Sequence, residues 1–437
     1  MQAAGEDDYG WFVGIDWATD AHEVCILTPS REPVTQRKVE HNGPAIAGFI
    51  DQLMRLCEGK AVRVAIAIEI PRGAVVESLV ERGFHVYAIN PKQLDRFRDR
   101  HTVAGAKDDR RDAFVLADSL RTDRPCFRQV RVDDPLVIQL REMSRVDDDL
   151  AEDMNRLTNR LREQLHRFYP ALLRLSPSAD EPWLWALLEL APTPAAGARL
   201  KPKQIEKLLA EHRIRRLDAE AVRAALAEDP LHVAPGATEA AVAHIRTLLP
   251  RLRVTVQQRA TCQREMGRLL DELAAGGDAS GQKNEHRDVQ ILRSLVGVGK
   301  KVAATLLAEA SQPLGDRDYH ALRAHAGVAP VTKQSGRRLV VVMRQACNGR
   351  LRNAVYHWAR VAVTRDPRST EIYASLRARG QSHGRALRGI ADRLLRLLIA
   401  MLKSGTLFDP SRWVREAPVA PAIETPDALA TATPEPA

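Results

Sequence analysis

Aromatic side chains make up only 5% of the chain, which argues against recognition through broad stacking surfaces. Cysteine is scarcer still. Cys25, Cys57, Cys126, Cys262 and Cys347 lie far apart with no C-x-x-C pair, so buried thiols in a reducing cytosol are expected. No apolar run reaches the roughly 18 residues of a membrane span. The start, Met1 to Tyr9, is polar and acidic and has no signal-peptide core. There is no P-loop, and no internal repeat stands out. An excess of acids is missing too: the formal charge is +9 with a pI near 9.5, which favours a polyanionic partner. What is present is length and apolar content. The 437 residues, 45% of them apolar, exceed one small core, and two or three domains are expected.

The chemistry centres on Lys107-Asp108-Asp109-Arg110-Arg111-Asp112-Ala113, which reads as a helix start followed by the apolar Phe114, Val115 and Leu116. Asp109 and Asp112 are three apart and share a helix face. Taken alone, two acids there merely suit the positive end of the helix dipole. Two upstream acids change the odds. Trp11 to Asp16 and Val62 to Glu69 are apolar, strand-like runs that each end on a carboxylate. A buried strand avoids unpaired acids, so Asp16 and Glu69 are expected at strand ends facing a cleft. Asp16 could instead be a turn residue, and Glu69 a cap for the helix after Pro71. Asp20, Asp108 and Asp118 read as solvated or capping residues. If Asp16, Glu69, Asp109 and Asp112 converge, their like charges need a cation, and hard oxygen ligands favour Mg²⁺ or Mn²⁺.

Around these acids the pattern predicts strands at His22–Thr28, Val34–His41 and His85–Ile89. Helices are expected at Ala45–Cys57, Ala74–Glu81 and from Pro91. That order over residues 9–128 is the order of an RNase H-like α/β fold. Residues 129–288 read as two long amphipathic helices, one from Leu136 to Phe168 and one over Val242 to Leu273 that Pro250 should kink. Together they suggest an antiparallel coiled-coil arm. Its spacing suits either packing within one chain or dimerisation. A helical insert, about 171–235, carries the cationic run His212-Arg213-Ile214-Arg215-Arg216, which reads as a solvated face or a nucleic-acid contact. Gly276 to Gln282 reads as a linker.

Residues 289–408 read as a basic, mostly helical domain. Between 289 and 405 there are 21 lysines and arginines against 6 acids, a surplus of +15 where the whole chain has +9. The positive charge is therefore concentrated here, as a phosphate-backbone footprint requires. Leu295-Val296-Gly297-Val298-Gly299-Lys300-Lys301 resembles a helix-hairpin-helix turn, where amides at the next helix start can face a phosphate. Gln334-Ser335-Gly336-Arg337-Arg338 reads as a glycine-bearing loop, and by chemistry alone Ser335 is an ordinary loop serine. Arg337, Arg338, Arg344, Arg350 and Arg352 join Lys300 and Lys301 as candidate phosphate contacts. Ala386 to Leu402 reads as a closing apolar helix. The proline- and alanine-rich tail, 409–437, is expected to be disordered from about Pro418.

Gly14-Ile15-Asp16, Ile68-Glu69 with Gly73, and the Lys107–Ala113 run together resemble the DEDD-type insertion-sequence transposases. That family includes Piv-type DNA invertases and bridge-RNA-guided recombinases, and its catalytic domain resembles the RuvC Holliday-junction resolvase. Asp108 stands where the family often has threonine, and Ile70-Pro71-Arg72 departs from its usual small residue and threonine. The resemblance implies that Asp16, Glu69, Asp109 and Asp112 are the metal-binding acids. The run Gly327–Pro330, Ser335-Gly336 and Asn348–Arg352 resembles the family's C-terminal transposase domain, which implies Ser335 as nucleophile. It further implies target and donor double-stranded DNA as substrates, a non-coding bridge RNA, and a homodimer assembling to a tetramer. A cytoplasmic, nucleoid-associated bacterial protein is the expected setting. Two rivals follow from the same residues: a metal-dependent junction nuclease that uses water, and a non-enzymatic nucleic-acid scaffold.

Overall fold

The computed structural model describes residues 9–100, 108–131, 133–275, 285–336 and 338–411. The expected linker at Gly276–Gln282, the tail from Pro418, Lys107 and Arg337 lie outside the described residues, as does the side chain of Arg338. The chain divides into two compact units, Met1–Asp134 and Pro135–Ala437.

The first unit is a mixed α/β sheet. Its strands are β1 (Trp11–Asp16), β2 (Ala21–Leu27), β3 (Pro33–Glu40), β4 (Val64–Ile68), β5 (His85–Ala88) and β6 (Arg128–Gln129). They lie in the order β3-β2-β1-β4-β5-β6. β1, β4 and β5 run parallel, while β2, β3 and β6 are antiparallel to their neighbours. The helices are α1 (Gly43–Leu56), α2 (Ala74–Glu81), α3 (Pro91–Asp99) and α4 (Asp109–Asp123). Asn42 caps α1 by accepting from the Ala45 amide at 2.9 Å, and Pro44 sits early in the helix, where its missing N–H costs nothing. Two departures from the expected pattern have local causes. A 3₁₀ turn over Ala61–Arg63 delays β4 to Val64. β6 is two polar residues long, too short to leave a periodic signal.

Alternation along β1 sorts the core. Val13 and Ile15 face a cluster with Ile46, Phe49 and Leu53 of α1 and Val76 and Leu79 of α2. On the other face Ala65 and Ala67 of β4 pack with Val115, Leu116 and Leu120 of α4. Gly14 is what lets α4 lie so close. A Cβ there would stand 2.6 Å from the Ala117 amide nitrogen and 2.9 Å from the Leu116 Cβ, and nearer still to the Ala113 carbonyl.

The second unit is mostly helical. α5 (Pro135–Phe168) is followed by α6 (Ala171–Leu175), α7 (Pro182–Leu190), α8 (Pro194–Gly197), α9 (Pro202–Glu211) and α10 (Ala219–Leu226). Next comes α11 (Ala237–Ala275), a continuous helix with Pro250 inside it. α5 and α11 are antiparallel. The start of α5 (Val137, Leu140) clusters with the end of α11 (Met266, Leu270, Leu273). The later part of α5 (Leu157, Leu161, Leu165) clusters with the first half of α11 (Val242, Ile245, Leu249). That second cluster is completed by the insert, with Trp183 and Trp185 of α7 at its centre. The first cluster is shared with α12 (Glu285–Ser294), α13 (Lys300–Glu309), α14 (Ser311–Gly315), α15 (Tyr319–His325), α16 (Gly349–Arg365), α17 (Pro367–Ala378) and α18 (His383–Ser404). Between α15 and α16 lies an antiparallel hairpin, β7 (Val331–Ser335) and β8 (Arg338–Val342). This corrects the expected loop: Ser335 ends a strand. The sequence Val-Thr-Lys-Gln-Ser has no apolar alternation to betray it. No described helix is long and apolar enough to cross a membrane.

Candidate active site

The sheet brings two of the expected acids side by side. Ile15 pairs with Ile68 in the parallel β1–β4 ladder, so Asp16 and Glu69 follow at the same ends of neighbouring strands. Asp16, two residues beyond Gly14, falls on the face that α4 covers, and Glu69, just past the end of β4, acts electrostatically on Arg98, the partner of Asp112 on α4. Gly73, not Glu69, caps α2, which removes the capping role for Glu69. Asp108 caps α4, its side chain accepting from the Arg110 amide at 3.2 Å. Asp109 and Asp112 then sit in the first turn, Asp109 exposed and Asp112 only 1% exposed. Gln36 of β3 holds that turn from the side by donating to the Arg110 carbonyl at 2.7 Å. Asp118 is not solvated as expected. It is buried, with Arg121 at 2.7 Å and Arg31 at 3.3 Å.

Asp112 has a partner that the sequence did not announce. Arg98, at the end of α3, donates Nε to Oδ1 at 2.6 Å and a terminal nitrogen to Oδ2 at 2.8 Å. It also pairs with Asp95. Burial alone would lower the guanidinium's pKa, but Asp112, with Asp95 and Glu69, raises it above its ordinary value. Arg98 therefore stays charged and lies within the field of Glu69. A fifth acid stands close by. Glu23 of β2 is the register partner of Asp16 and is 5% exposed. Its Oε1 faces Lys38 at 3.6 Å, and its Oε2 has no hydrogen-bond partner.

The donor set suits a hard divalent cation: carboxylates at two adjacent strand ends and at the start of the helix laid across them. In this conformation, however, both Asp112 oxygens are committed to Arg98. Among the described residues, no three His, Cys, Asp or Glu side chains are grouped as a formed metal site would be.

In the second unit the hairpin leaves Ser335 exposed, in register with Arg338, and Gly336 follows with φ of 54°. The glycine turn between α12 and α13 has Gly297 at φ 86°, with Gly299 as the cap of α13. A Cβ on Gly297 would meet the Ala362 nitrogen at 3.2 Å, so the turn is pressed against α16. Lys300 is exposed beyond it. Lys301 is spent internally. Its Nζ reaches Asp147 at 2.6 Å and Asp148 at 2.8 Å. Asp147, fully buried on α5, also accepts from Arg259 at 3.3 Å and Gln263 at 3.1 Å. Burial by itself would raise the Asp147 pKa, but Lys301, Gln263 and Arg259 hold it below its ordinary value. Arg350 likewise faces Asp148 at 3.4 Å and Asp149 at 3.2 Å. Arg344 donates to the Ala329 carbonyl at 3.3 Å, and Arg352 lies against Gly327. Asn348 caps α16 and donates to Glu309 at 2.7 Å. In the insert, Arg216 is a structural group, bound to Glu181 at 2.6 Å and to the Leu175 carbonyl at 2.9 Å.

Comparisons with known proteins point one way. A family model described as a DEDD transposase of IS110 matches residues 13–170, and one described as the transposase of the IS116/IS110/IS902 family matches 289–374. A protein of Sinorhizobium fredii named "Putative transposase y4uE" is 51% identical over 211 residues, which span 48% of this chain and 58% of that protein. The Streptomyces coelicolor "Mini-circle putative transposase for IS117" is 32% identical over 93% of this chain and 97% of its own length. An insertion element IS110 protein of 43.6 kDa from the same organism is 28% identical over 92% of this chain and 96% of its own. With similarity running almost end to end, the chain belongs to the DEDD-type IS110 family of transposases.

Proposed function

We propose that this chain cuts and rejoins DNA by transesterification, with Asp16, Glu69, Asp109 and Asp112 as the metal-binding acids and Ser335 as the nucleophile. The observation that carries the reading is the shared register of Asp16 and Glu69, with α4 laid against β1 at residues 113–117, one turn after Asp109 and Asp112. An RNase H-like domain is the natural description of that sheet. Magnesium or manganese bound by these oxygens would make the attacking hydroxyl more acidic and offset charge at the phosphate. The Ser335 Oγ forms a bond to phosphorus, and the bond to one strand end breaks. That strand end leaves as a hydroxyl and takes up a proton, while the serine gives up its own. The phosphoserine link conserves the phosphodiester, so a strand hydroxyl can reverse the step without ATP.

The exposed Lys300, with Arg337, Arg338, Arg344 and Arg352, would hold the DNA backbone. Lys301 and Arg350 would join them only by leaving their acids. In this reading α12, the glycine turn and α13 act as a helix-hairpin-helix. The pair α5 and α11 acts as a coiled-coil arm that follows a catalytic domain (9–128) in the sequence and precedes a C-terminal transposase domain (289–408), with dimers pairing into a tetramer. A bridge RNA that pairs with target and donor DNA is part of the same proposal.

The test is a trapping reaction on nicked DNA, followed by mass spectrometry for a peptide–DNA adduct at Ser335. The adduct is expected with the natural chain, and Ser335→Ala should lose both adduct and cleavage. Cleavage by Ser335→Ala at the normal rate would favour a nuclease that uses water. Unchanged activity in Asp16→Ala and Asp112→Ala would favour a scaffold without catalysis.

A further inference from the structure

Arg98 sits where the acidic site needs positive charge. Its guanidinium spans both oxygens of Asp112 at 2.6 and 2.8 Å, and Asp112 is almost wholly buried. A buried carboxylate without a partner is costly, so in the absence of another cation this pairing compensates Asp112 and holds the start of α4 in place. The same two bonds occupy the carboxylate edge that a chelated metal ion would use. A planar fork and a divalent ion cannot both hold one carboxylate edge-on. Arg98 is also the last arginine of α3, a nine-residue helix with a single buried side chain, Leu94. Phe97, stacked on Phe127, and Arg100, paired with Asp123 at 2.7 Å, hold the same end of the helix, so Arg98 can change partner through its own side chain.

We propose that Arg98 is a positioning residue that acts as an internal stand-in cation: it holds Asp112 until a divalent ion displaces it. The proposal rests on the reading of Asp16, Glu69, Asp109 and Asp112 as a metal site, and it assigns that site a competitor within the chain. Chelation of a metal ion by Asp112 through that edge then requires the guanidinium to leave it, which ties metal occupancy to the placement of the Arg98 side chain. Freed in this way, Arg98 keeps its charge within reach of Asp95 and the field of Glu69.

The experiment titrates the full chain, without DNA, with Mn²⁺ alone. Calorimetry gives affinity, and thermal melts with Mn²⁺ or with chelator give stability. The variants are Arg98→Met, Arg98→Lys and Asp112→Asn. Arg98→Met should melt lower than the natural chain in chelator, bind Mn²⁺ at least tenfold tighter, and gain more stability from the ion. Arg98→Lys should bind Mn²⁺ with intermediate strength, because an ammonium cannot span both oxygens. Equal or weaker Mn²⁺ binding by a folded Arg98→Met would overturn the proposal while leaving the metal site intact. If Arg98→Met does not fold, Arg98→Lys decides by the same comparison. If Asp112→Asn binds Mn²⁺ as tightly as the natural chain, the metal-site reading fails and the Arg98 proposal fails with it.

Discussion

Gly14→Ala is the sharpest single test of how the acids are held in register. The added methyl would stand 2.6 Å from the Ala117 nitrogen and 2.9 Å from the Leu116 Cβ. Carbon contacts settle at about 3.5–4.0 Å, so α4 must retreat by roughly 1 Å. The obstruction is largely backbone, and no side-chain rotation relieves it. Overpacking of this kind costs about 1–3 kcal/mol, and the upper end is expected here. For a unit of this size that lowers the melting temperature by about 10 °C. The retreat also carries Asp109 and Asp112 away from the strand ends. With these acids as the proposed metal ligands, a displacement of about 1 Å lowers the cleavage rate by roughly 100-fold. Circular dichroism melts and a DNA cleavage assay read the two effects. Gly48→Ala on α1 is the control, since a Cβ there meets nothing within 4 Å. It should be neutral or add about 0.5–1 kcal/mol. A Gly14→Ala chain that melts and cuts like the natural one would refute the account of how α4 is placed.

Asp147→Asn should lower urea stability by about 2 kcal/mol, less than the 3–5 kcal/mol of a fully buried pair because Lys301 and Arg259 can still reach water. The Asp147 pKa is depressed in the folded chain, so its contribution is present above the unfolded value of about 3.9 and is lost as pH falls through the lower folded value. The gap between natural and variant urea midpoints should therefore be constant from about pH 5 to 7 and close below about pH 4. A gap that stays open in acid would contradict this. Glu23→Gln removes a buried charge with one unpartnered oxygen, and melts should show it unchanged or stabilised by up to about 1 kcal/mol. A clear loss of stability would mean that Lys38 holds Glu23 more firmly than their 3.6 Å separation implies.

The parts of this molecule that sequence made legible are those with a local signature. β1 and β4 announce themselves as apolar runs closed by an acid, and α4 by its capping aspartate and apolar face. α5 and α11 carry helical periodicity over many turns. What stayed hidden depends on pairing between distant residues. Arg98 reads as one more surface arginine, because its bond to Asp112 crosses 14 positions without any pattern. Counting charge overstated the free cations of the second unit, since Lys301 and Arg350 are answered by Asp147, Asp148 and Asp149 about 150 to 200 residues earlier. The hairpin that presents Ser335 pairs a polar strand with a short apolar one whose Leu339 and Val341 are exposed, so neither burial nor alternation marked it. Asp16 and Glu69 were expected at strand ends, but their adjacency comes from the β1–β4 ladder.

The 34-residue α5 runs from one hydrophobic cluster into the other, with α11 beside it. At 1.5 Å per residue its length is about 50 Å. Neither end is free to swivel, because each is a wall of the core it enters. Repacking around Trp183 and Trp185 therefore bears on the same helix pair that forms a wall of the other cluster.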